Sequence, residues 1–123
     1  MNKSFDINEF IKYCESTEEN EWCVDVVRTR DGKNCLFGHL FAFAGNDYLG
    51  CQFWDMFEEC WATTYMVYPV NDGENERYQQ KTPKQRCVAY LKNLRDGLEK
   101  TTHQIMEEDY KLYLASTAKE ESA

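Results

Sequence analysis

The middle of this chain lacks positive charge: residues 46–76 contain no Lys or Arg, although they contain seven Asp and Glu residues. The whole chain has 22 acidic and 14 basic residues, which gives a net charge of −8. An acidic protein repels a phosphate backbone, so direct binding to DNA or RNA is disfavoured as the main activity. The charge favours a protein partner with a basic surface, although it can also simply keep a small protein in solution. A local exception is the basic run of Arg77, Lys81, Lys84 and Arg86.

Long hydrophobic runs are also missing. The longest nearly apolar run covers about residues 35–44, half of the roughly 20 residues that a membrane-spanning helix needs. We therefore expect no membrane segment. The chain starts MNKSFDINEF, without the apolar segment of a secretory signal, and we expect a cytoplasmic protein. In the cytosol its six cysteines stay reduced and serve mostly as small buried side chains.

The common motifs of cofactor and metal binding are absent. The sequence has no Gly-rich phosphate loop, no GxSxG elbow and no HExxH motif. Its cysteines lack the close CxxC pairs of structural zinc sites, and NDGENE at 71–76 lacks the residue order of a calcium loop. We therefore predict no metal and no cofactor, although convergence of Cys35, His39 and His103 with another cysteine would still permit zinc.

Length and apolar content predict one compact domain. A chain of 123 residues with 18 aromatic side chains can bury one modest core. We expect the domain to span residues 1–117 and the polar tail 118–123 to be flexible. The predicted fold class is mostly α, with four to five helices. Alternation of Val24 and Val26 also leaves open a short β-ribbon near 22–30 and 66–71.

Capping signals locate the first two helices. Asp6 and Glu9 form a capping-box pattern ahead of apolar residues at helical spacing. Asn34 can cap a central apolar helix that begins at Cys35, and Gly45 can end it. This central helix is apolar around most of its circumference, so we expect it to be largely enclosed.

The second half of the chain predicts further helices. Residues 51–66 have an amphipathic pattern, and 68–76 contain the turn residues of a loop. Thr82 and Pro83 are typical of a helix start. Gly97 can interrupt that helix, after which apolar residues continue at helical spacing to about Ser116: Leu98, Ile105, Met106, Tyr110 and Tyr113.

Cys35 and His39 are the most suggestive pair for chemistry. A thiol in the first turn of a helix lies near unpaired backbone N–H groups, which lower its pKa and favour the thiolate. His39 follows four residues later and could serve as its base. Residues of these types in an apolar helix more often pack in the core. We therefore interpret 34–45 mainly as a packing helix, in which Gly38 permits a close helix crossing, and keep Cys35 and His39 as candidate catalytic residues.

Acidic side chains form the candidate partner-binding surface. Its six members lie in or after the predicted helix at 51–66: Asp55, Glu58, Glu59, Asp72, Glu74 and Glu76. Natural aromatic anchors beside them are Tyr65, Tyr68 and Tyr78. The opposite face of the same helix is apolar, with Phe53, Trp54, Phe57 and Trp61 directed inwards. Three of these four, Trp54, Phe57 and Trp61, could alternatively line a small-ligand pocket.

The order of several short motifs resembles a family of small uncharacterised proteins of bacteria and their phages. The resemblance covers roughly residues 7–96 and depends on Trp22, on the pattern from Arg30-Asp31 through Cys35-x-x-Gly38-x-Leu40, on Val70-Asn71-Asp72, and on Thr82 ahead of Cys87-Val88-x-x-Leu91. The chain departs from the family at His39, where a small apolar residue is usual, and at Val70, where Trp is usual. The resemblance implies a fold outline and a bacterial or phage setting, but no established activity. Residues 97–123 lie outside it and have the pattern of an added acidic helix.

Asn71 and Asp72 also have a structural interpretation that does not depend on the resemblance. Their short side chains are suited to accept hydrogen bonds from backbone N–H groups and so fix a loop. Asp72 could also pair with Arg28 or Arg30.

Three functions are compatible with these observations. The first is a non-enzymatic acidic module that binds a basic protein surface; in a phage setting it would inhibit a host nucleic-acid-binding defence protein by placing carboxylates where phosphates bind. The second is an enzyme or thiol redox sensor that uses Cys35 and His39. The third is a small-ligand-binding protein.

Overall fold

Residues 4–121 are described by a computed structural model. They form six α-helices: α1 (Ile7–Ser16), α2 (Leu36–Ala44), α3 (Asp47–Cys60), α4 (Thr64–Asp72), α5 (Pro83–Arg95) and α6 (Thr102–Glu121). A single 3₁₀ turn covers Glu19–Glu21. The mostly α fold class is confirmed, with one helix more than the predicted four to five. None of these helices is long and apolar enough to cross a membrane.

The caps at the starts of α1 and α5 are formed as the sequence predicts. The Asp6 carboxylate accepts from the backbone N–H groups of Asn8 and Glu9, and the Thr82 hydroxyl accepts from the backbone N–H of Gln85 at the start of α5. Such caps satisfy N–H groups that have no partner within the helix.

The start of α2 differs from the prediction that Asn34 caps it. Cys35 occupies the N-cap position, and its side chain makes no capping hydrogen bond. The first N–H of the helix, that of Leu36, is bound instead by the Asn71 side chain of α4 at 3.0 Å. The cap therefore comes from 35 residues further along the chain. Gly45 ends α2 with φ of 93°, as expected.

One predicted helix over 51–66 is in fact two helices, and the loop predicted over 68–76 is wrong in its first half. The chain leaves α3 at Trp61 and enters α4 after Thr63, an extended N-cap residue. Pro69 lies inside α4, where it removes a helical hydrogen bond. Helix α4 persists because side chains at helical spacing are buried, namely Val67, Val70 and Asn71.

The predicted β-ribbon is absent from the described residues. Residues 66–71 belong to α4, and 22–34 form a loop with isolated bridges from Trp22 and Arg28 to Asn34. Asp25 interrupts any extended pairing because its φ is 69°, in the left-handed region.

The core lies where α1 and α2 meet α3, and where α5 packs against α1 and α4. Phe5 packs edge-on against Phe10, Phe53 and Phe57, with ring centres 5.6 to 5.8 Å apart. Gly50 of α3 faces the ring of Phe41, and a Cβ added there would lie 2.2 Å from that ring. Close packing of α2 on α3 therefore requires glycine at this position.

Helix α6 touches the rest of the molecule mainly at its start. The backbone N–H of Thr102 donates to the carbonyl of Trp61 at 2.9 Å, and Thr102 is buried. The apolar side chains beyond this point were expected to continue a buried stripe, but those of Met106, Tyr110 and Tyr113 are each more than 60% exposed. The helix extends past Ser116 to Glu121, so the first four residues of the predicted tail 118–123 are helical. Residues 122 and 123 lie outside the described part of the chain.

Candidate functional site

A buried asparagine joins four segments of the fold. The Asn71 side chain is fully buried, and its oxygen accepts from the Leu36 N–H at 3.0 Å and from the Cys87 thiol at 3.5 Å. Its amide nitrogen donates to the carbonyl of Cys23 at 3.0 Å. These bonds connect α4 with the start of α2, with α5 and with the 22–34 loop. Asn71 accepts from a backbone N–H as predicted, but it lies in a helix and not in a loop, and the groups that it bonds are distant in the sequence.

Asp72 continues this connection into the 22–34 loop. Its Oδ1 accepts from the Asn71 amide at 3.0 Å and from the backbone N–H of Asp25 at 3.1 Å. The bond to Asp25 holds the backbone at the residue with positive φ. The expected pairing of Asp72 with Arg28 or Arg30 does not occur, since the Arg28 guanidinium donates to Asn34 instead.

Gly38 allows the 22–34 loop to lie directly on α2. A Cβ added at Gly38 would lie 2.5 Å from the carbonyl oxygen of Val27 and 2.6 Å from Oδ1 of Asn34. The close approach predicted at Gly38 is real, but the neighbour is the loop backbone and not another helix. The Cys35 N–H completes this contact by donating to the Val27 carbonyl at 2.9 Å.

A small cavity lies where the loop, the start of α2 and the end of α4 meet. It has a volume of about 230 Å³ and is lined by Asp25, Val26, Val27, Cys35, Tyr68 and Asp72. Cys35 is buried, Tyr68 and Asp72 are half-buried, and the three loop residues are exposed. The cavity therefore opens between the loop residues, with the Cys35 thiol at its inner end. Among these residues the sequence singled out Cys35, Tyr68 and Asp72, but not Asp25, Val26 or Val27.

The Cys35 thiol is not activated in the way the helix start suggests. The backbone N–H groups of Phe37 and Gly38 lower the pKa of this thiol, but the stronger effect of burial leaves the pKa above its ordinary value. The predicted lowering is wrong because only 1% of the Cys35 surface is exposed. Desolvation of a thiolate in these surroundings exceeds the benefit of the helix terminus.

His39 lies in a different environment from the Cys35 thiol. Its ring packs on Trp22 with ring centres 4.2 Å apart, and only 1% of its surface is exposed. Within the described chain neither ring nitrogen has a hydrogen-bond partner of normal geometry. Burial lowers the pKa of His39 to about 4, although the nearby Glu21 carbonyl acts in the opposite direction. His39 is therefore a neutral core ring that makes no hydrogen bond to the thiol, and this geometry gives no support to a Cys35/His39 mechanism.

The six predicted acidic residues do not form one cluster. Glu58 accepts from the Trp54 indole at 2.5 Å and from the Thr64 N–H at 3.4 Å, at the start of α4. Asp72 is the last residue of the same helix, about 12 Å further on at 1.5 Å per residue. Glu74 and Glu76 are exposed in the segment that follows α4.

Asp55 and Glu59 remain on the open surface of α3. They lie one helical turn apart on an exposed arc that also contains Asp47, Tyr48, Cys51 and Gln52. At 100° per residue this arc covers about 140° of the helix. Tyr48 is 77% exposed beside the carboxylates. We call this arc the acidic α3 face.

The three predicted aromatic anchors have different environments. Tyr65 is 89% exposed, whereas Tyr68 is half-buried in the cavity wall. Tyr78 is only 2% exposed and donates to Glu99 at 2.6 Å, and burial followed by this bond raises its pKa to about 12. Only Tyr65 is therefore placed to serve as an exposed anchor.

The basic run after α4 is largely used within the fold. Arg86 is buried and donates to the carbonyls of Val70, Asn71 and Gln80 at 2.8 to 2.9 Å, so it neutralises the carbonyl end of α4. Arg77 pairs with Glu99 at 2.8 Å. Lys84 donates to the carbonyl of Thr17 at 2.5 Å. Of the four basic residues in this run, Lys81 is the one that the described fold does not use. It is what remains of the local exception to the acidic charge of the chain.

The aromatic side chains that the sequence suggested for a small-ligand pocket pack against other side chains. Phe57 is fully buried, and the Trp54 ring stacks on Phe37 with centres 4.3 Å apart. Within the described part of the chain, no three His, Cys, Asp or Glu side chains approach closely enough to hold a metal ion.

Comparison with protein-family models, with curated proteins and with solved structures found no match to this chain. The resemblance to the bacterial and phage family therefore stays a prediction.

Proposed function

We propose that this protein is a non-enzymatic binding module that docks its acidic α3 face on the basic surface of a protein partner. The observation that carries the proposal is the composition of this exposed arc: three carboxylates and one exposed tyrosine, without a cation. Opposite charge across an interface accelerates association and selects the partner. A tyrosine adds a rigid apolar contact at low entropic cost.

The spacing on the α3 face suits a surface that normally binds nucleic acid. Asp55 and Glu59 are one turn apart, about 6 Å along the helix axis, and Asp47 extends the line towards the helix start. A groove that binds successive phosphates presents Lys and Arg in a row. Carboxylates on one helix can occupy such a row, so we propose a nucleic-acid-binding protein as the partner class.

The function of the α3 face can be tested by reversing its charge. The tagged protein is used to capture partners from a bacterial lysate at low and high salt, and the captured protein is purified. Its affinity for the wild type is then compared with its affinity for the double variant Asp55→Lys/Glu59→Lys. We expect the double variant to lose at least about tenfold in affinity, and the wild-type affinity to fall as salt is added.

A charge-matched control separates a local surface from general acidity. Glu18 and Glu19 are exposed and lie outside α3, so Glu18→Lys/Glu19→Lys changes the net charge equally. Equal losses in both double variants would contradict a specific α3 face. Competition by duplex DNA for the same partner site would support the partner class, and simultaneous binding of DNA and protein would contradict it.

A further inference from the structure

The cavity at the start of α2 contains a carboxylate oxygen that the fold does not use. Asp72 Oδ1 accepts two hydrogen bonds, from Asn71 and from the Asp25 backbone, and these fix the carboxylate in place. Among the side chains that the structure describes, those of residues 4–118, its Oδ2 has no hydrogen-bond or ion-pair partner. The second carboxylate in the wall belongs to Asp25, and the lining contains no Lys, Arg or His. The cavity wall therefore contains two carboxylates and no cationic side chain.

The backbone ends near the cavity contribute less charge than its side chains. The amino end of α2 contributes roughly half a positive charge, and the carboxyl end of α4 is already neutralised by Arg86, which donates to the carbonyls of Val70 and Asn71. The two carboxylates of Asp25 and Asp72 outweigh the charge of the α2 end and decide the sign. The field inside the cavity favours a cation.

The remaining walls suit the carbon part of a cation. The Tyr68 ring is held edge-on against Phe37 with ring centres 5.7 Å apart, and it forms one wall. A cation within about 6 Å of such a ring is attracted by the face of the π system. Val26 and Val27 provide an apolar rim along which an alkyl stem can lie.

The Cys35 thiol is a second polar group in the cavity wall. It is 99% removed from solvent, since its exposed fraction is 1%, and it lines the cavity. It donates no hydrogen bond to any group in the described chain, whereas the neighbouring thiols of Cys23 and Cys87 both donate. The sulfur can accept weakly from the N–H of a bound cation, whereas its S–H would not be used by such a ligand.

The volume limits the size of the ligand. At about 230 Å³ the cavity is smaller than the roughly 300–1,000 Å³ of sites that enclose drug-sized ligands or cofactors. It can hold one charged head group with a short stem, and a nucleotide is excluded.

We propose that this cavity binds the ammonium or guanidinium group of an alkyl cation, with Asp72 Oδ2 as the main acceptor and the Tyr68 ring as the cation–π wall. Such a group occurs in free alkyl amines and in the Lys and Arg side chains of proteins. The proposal does not depend on the acidic α3 face.

The experiment is an NMR titration of the ¹⁵N-labelled full chain, observed at the backbone amides of Asp25, Val27 and Cys35. The probes are n-butylammonium, n-butylguanidinium and the neutral isostere n-butanol, together with the capped tripeptides Gly-Lys-Gly and Gly-Arg-Gly. We expect saturable shifts with the cations and at least about tenfold weaker binding of n-butanol. If the free amines bind and the tripeptides do not, the source is a small molecule, whereas tripeptides that bind at least as tightly indicate a protein side chain.

Two variants test the acceptor. In Asp72→Asn the amide oxygen can still accept from Asn71 and from the Asp25 backbone, while the charged free oxygen is replaced. We expect at least about tenfold weaker binding of n-butylammonium to Asp72→Asn, and unchanged binding to Asp109→Asn, a matched change at an exposed position of α6. Equal binding of n-butanol and n-butylammonium, or no saturable shift with either cation, would overturn the proposal. The probe comparison uses the wild-type protein, so this result does not depend on the folding of the variant.

Discussion

The Asn71 region and helix α6 reverse the usual distribution of side chains. Around Asn71 a polar side chain is fully buried, and both its oxygen and its nitrogen are bonded. Along α6 large apolar side chains are in water: Met106, Tyr110, Leu112 and Tyr113 are each 61 to 69% exposed. The first region holds four segments in place, and the second lies beyond the packed body.

The difference shows which interactions decide this fold. A buried amide contributes through the groups that it keeps from being unpaired, so its removal affects every segment that it bonds. An exposed apolar helix contributes little to folding, because its side chains gain no burial. Stability should therefore be concentrated near Asn71 and nearly independent of α6 beyond its first turn.

The largest loss is expected for Asn71→Ala. The substitution leaves the Leu36 N–H and the Cys23 carbonyl without partners in a buried site, so the free energy of unfolding should fall by about 3–4 kcal/mol. Urea unfolding followed by circular dichroism measures this change. Asn20→Ala is the control, since Asn20 is exposed in the 3₁₀ turn, and it should change stability by less than about 0.5 kcal/mol. If Asn71→Ala lowers the stability no more than the control does, stability is not concentrated near Asn71.

The next effect depends on pH and comes from His39. Its pKa in the folded protein is about 4, below its ordinary value of 6.5, so the unfolded chain binds more protons between these values. Stability should therefore decrease as pH falls from 6.5 to 4, by about 3 kcal/mol over the whole interval. Carboxylates also titrate near the lower limit, so the decisive quantity is the difference in pH dependence between variants.

His39→Phe should remove this contribution. Phe keeps an aromatic ring at this position and has no titratable nitrogen, so the pH-dependent contribution is lost. Its larger ring changes the stability at neutral pH separately, through packing. His103→Gln is the matched control because His103 is exposed and is the other histidine of the chain. Urea midpoints measured from pH 7 to pH 4.5 should show the wild-type slope in His103→Gln and a smaller slope in His39→Phe. Parallel curves for all three proteins would contradict the assignment.

A smaller loss is expected for Gly38→Ala. The added methyl group meets the Val27 carbonyl oxygen at 2.5 Å, and this oxygen is held by the Cys35 N–H. The loop must shift away from α2, at a cost of about 2 kcal/mol. Ala42→Ser on the exposed side of the same helix serves as the control. Stability unchanged by Gly38→Ala would show that the loop adjusts without cost.

Local signals in the sequence predicted the features that depend on neighbouring residues. Asp6, Thr82 and Gly45 act within a few residues of themselves, and each was correctly assigned to a helix end. The start of α2 was placed one residue early, because its cap is Asn71 from another helix. Pro69 suggested a loop, but burial of Val70 and Asn71 holds the helix.

The candidate site was predictable only in part, because it also depends on contacts between residues that are distant in the sequence. Asn71 and Asp72 were recognised as loop-fixing residues, and Cys35 as a residue at a helix start. Cys35 and Asp72 line one cavity with Asp25 and Val26. This arrangement depends on the path of the 22–34 loop, which is set by contacts with residues elsewhere in the fold. The pKa of Cys35 was misjudged because a helix position indicates the nearby N–H groups but not the degree of burial.

The smallest effect is expected from removing most of α6. A chain that ends at Ile105 keeps the buried Thr102 and its bond to the Trp61 carbonyl, and it loses mainly exposed side chains. Its free energy of unfolding should differ from that of the full chain by less than about 0.5 kcal/mol, as judged by urea unfolding at low protein concentration. The denaturant slope should decrease only slightly, because little buried surface is removed. A loss of 2 kcal/mol or more would mean that the apolar side chains of α6 are covered in solution. Helix α6 would then contribute to stability, contrary to the contrast drawn with Asn71.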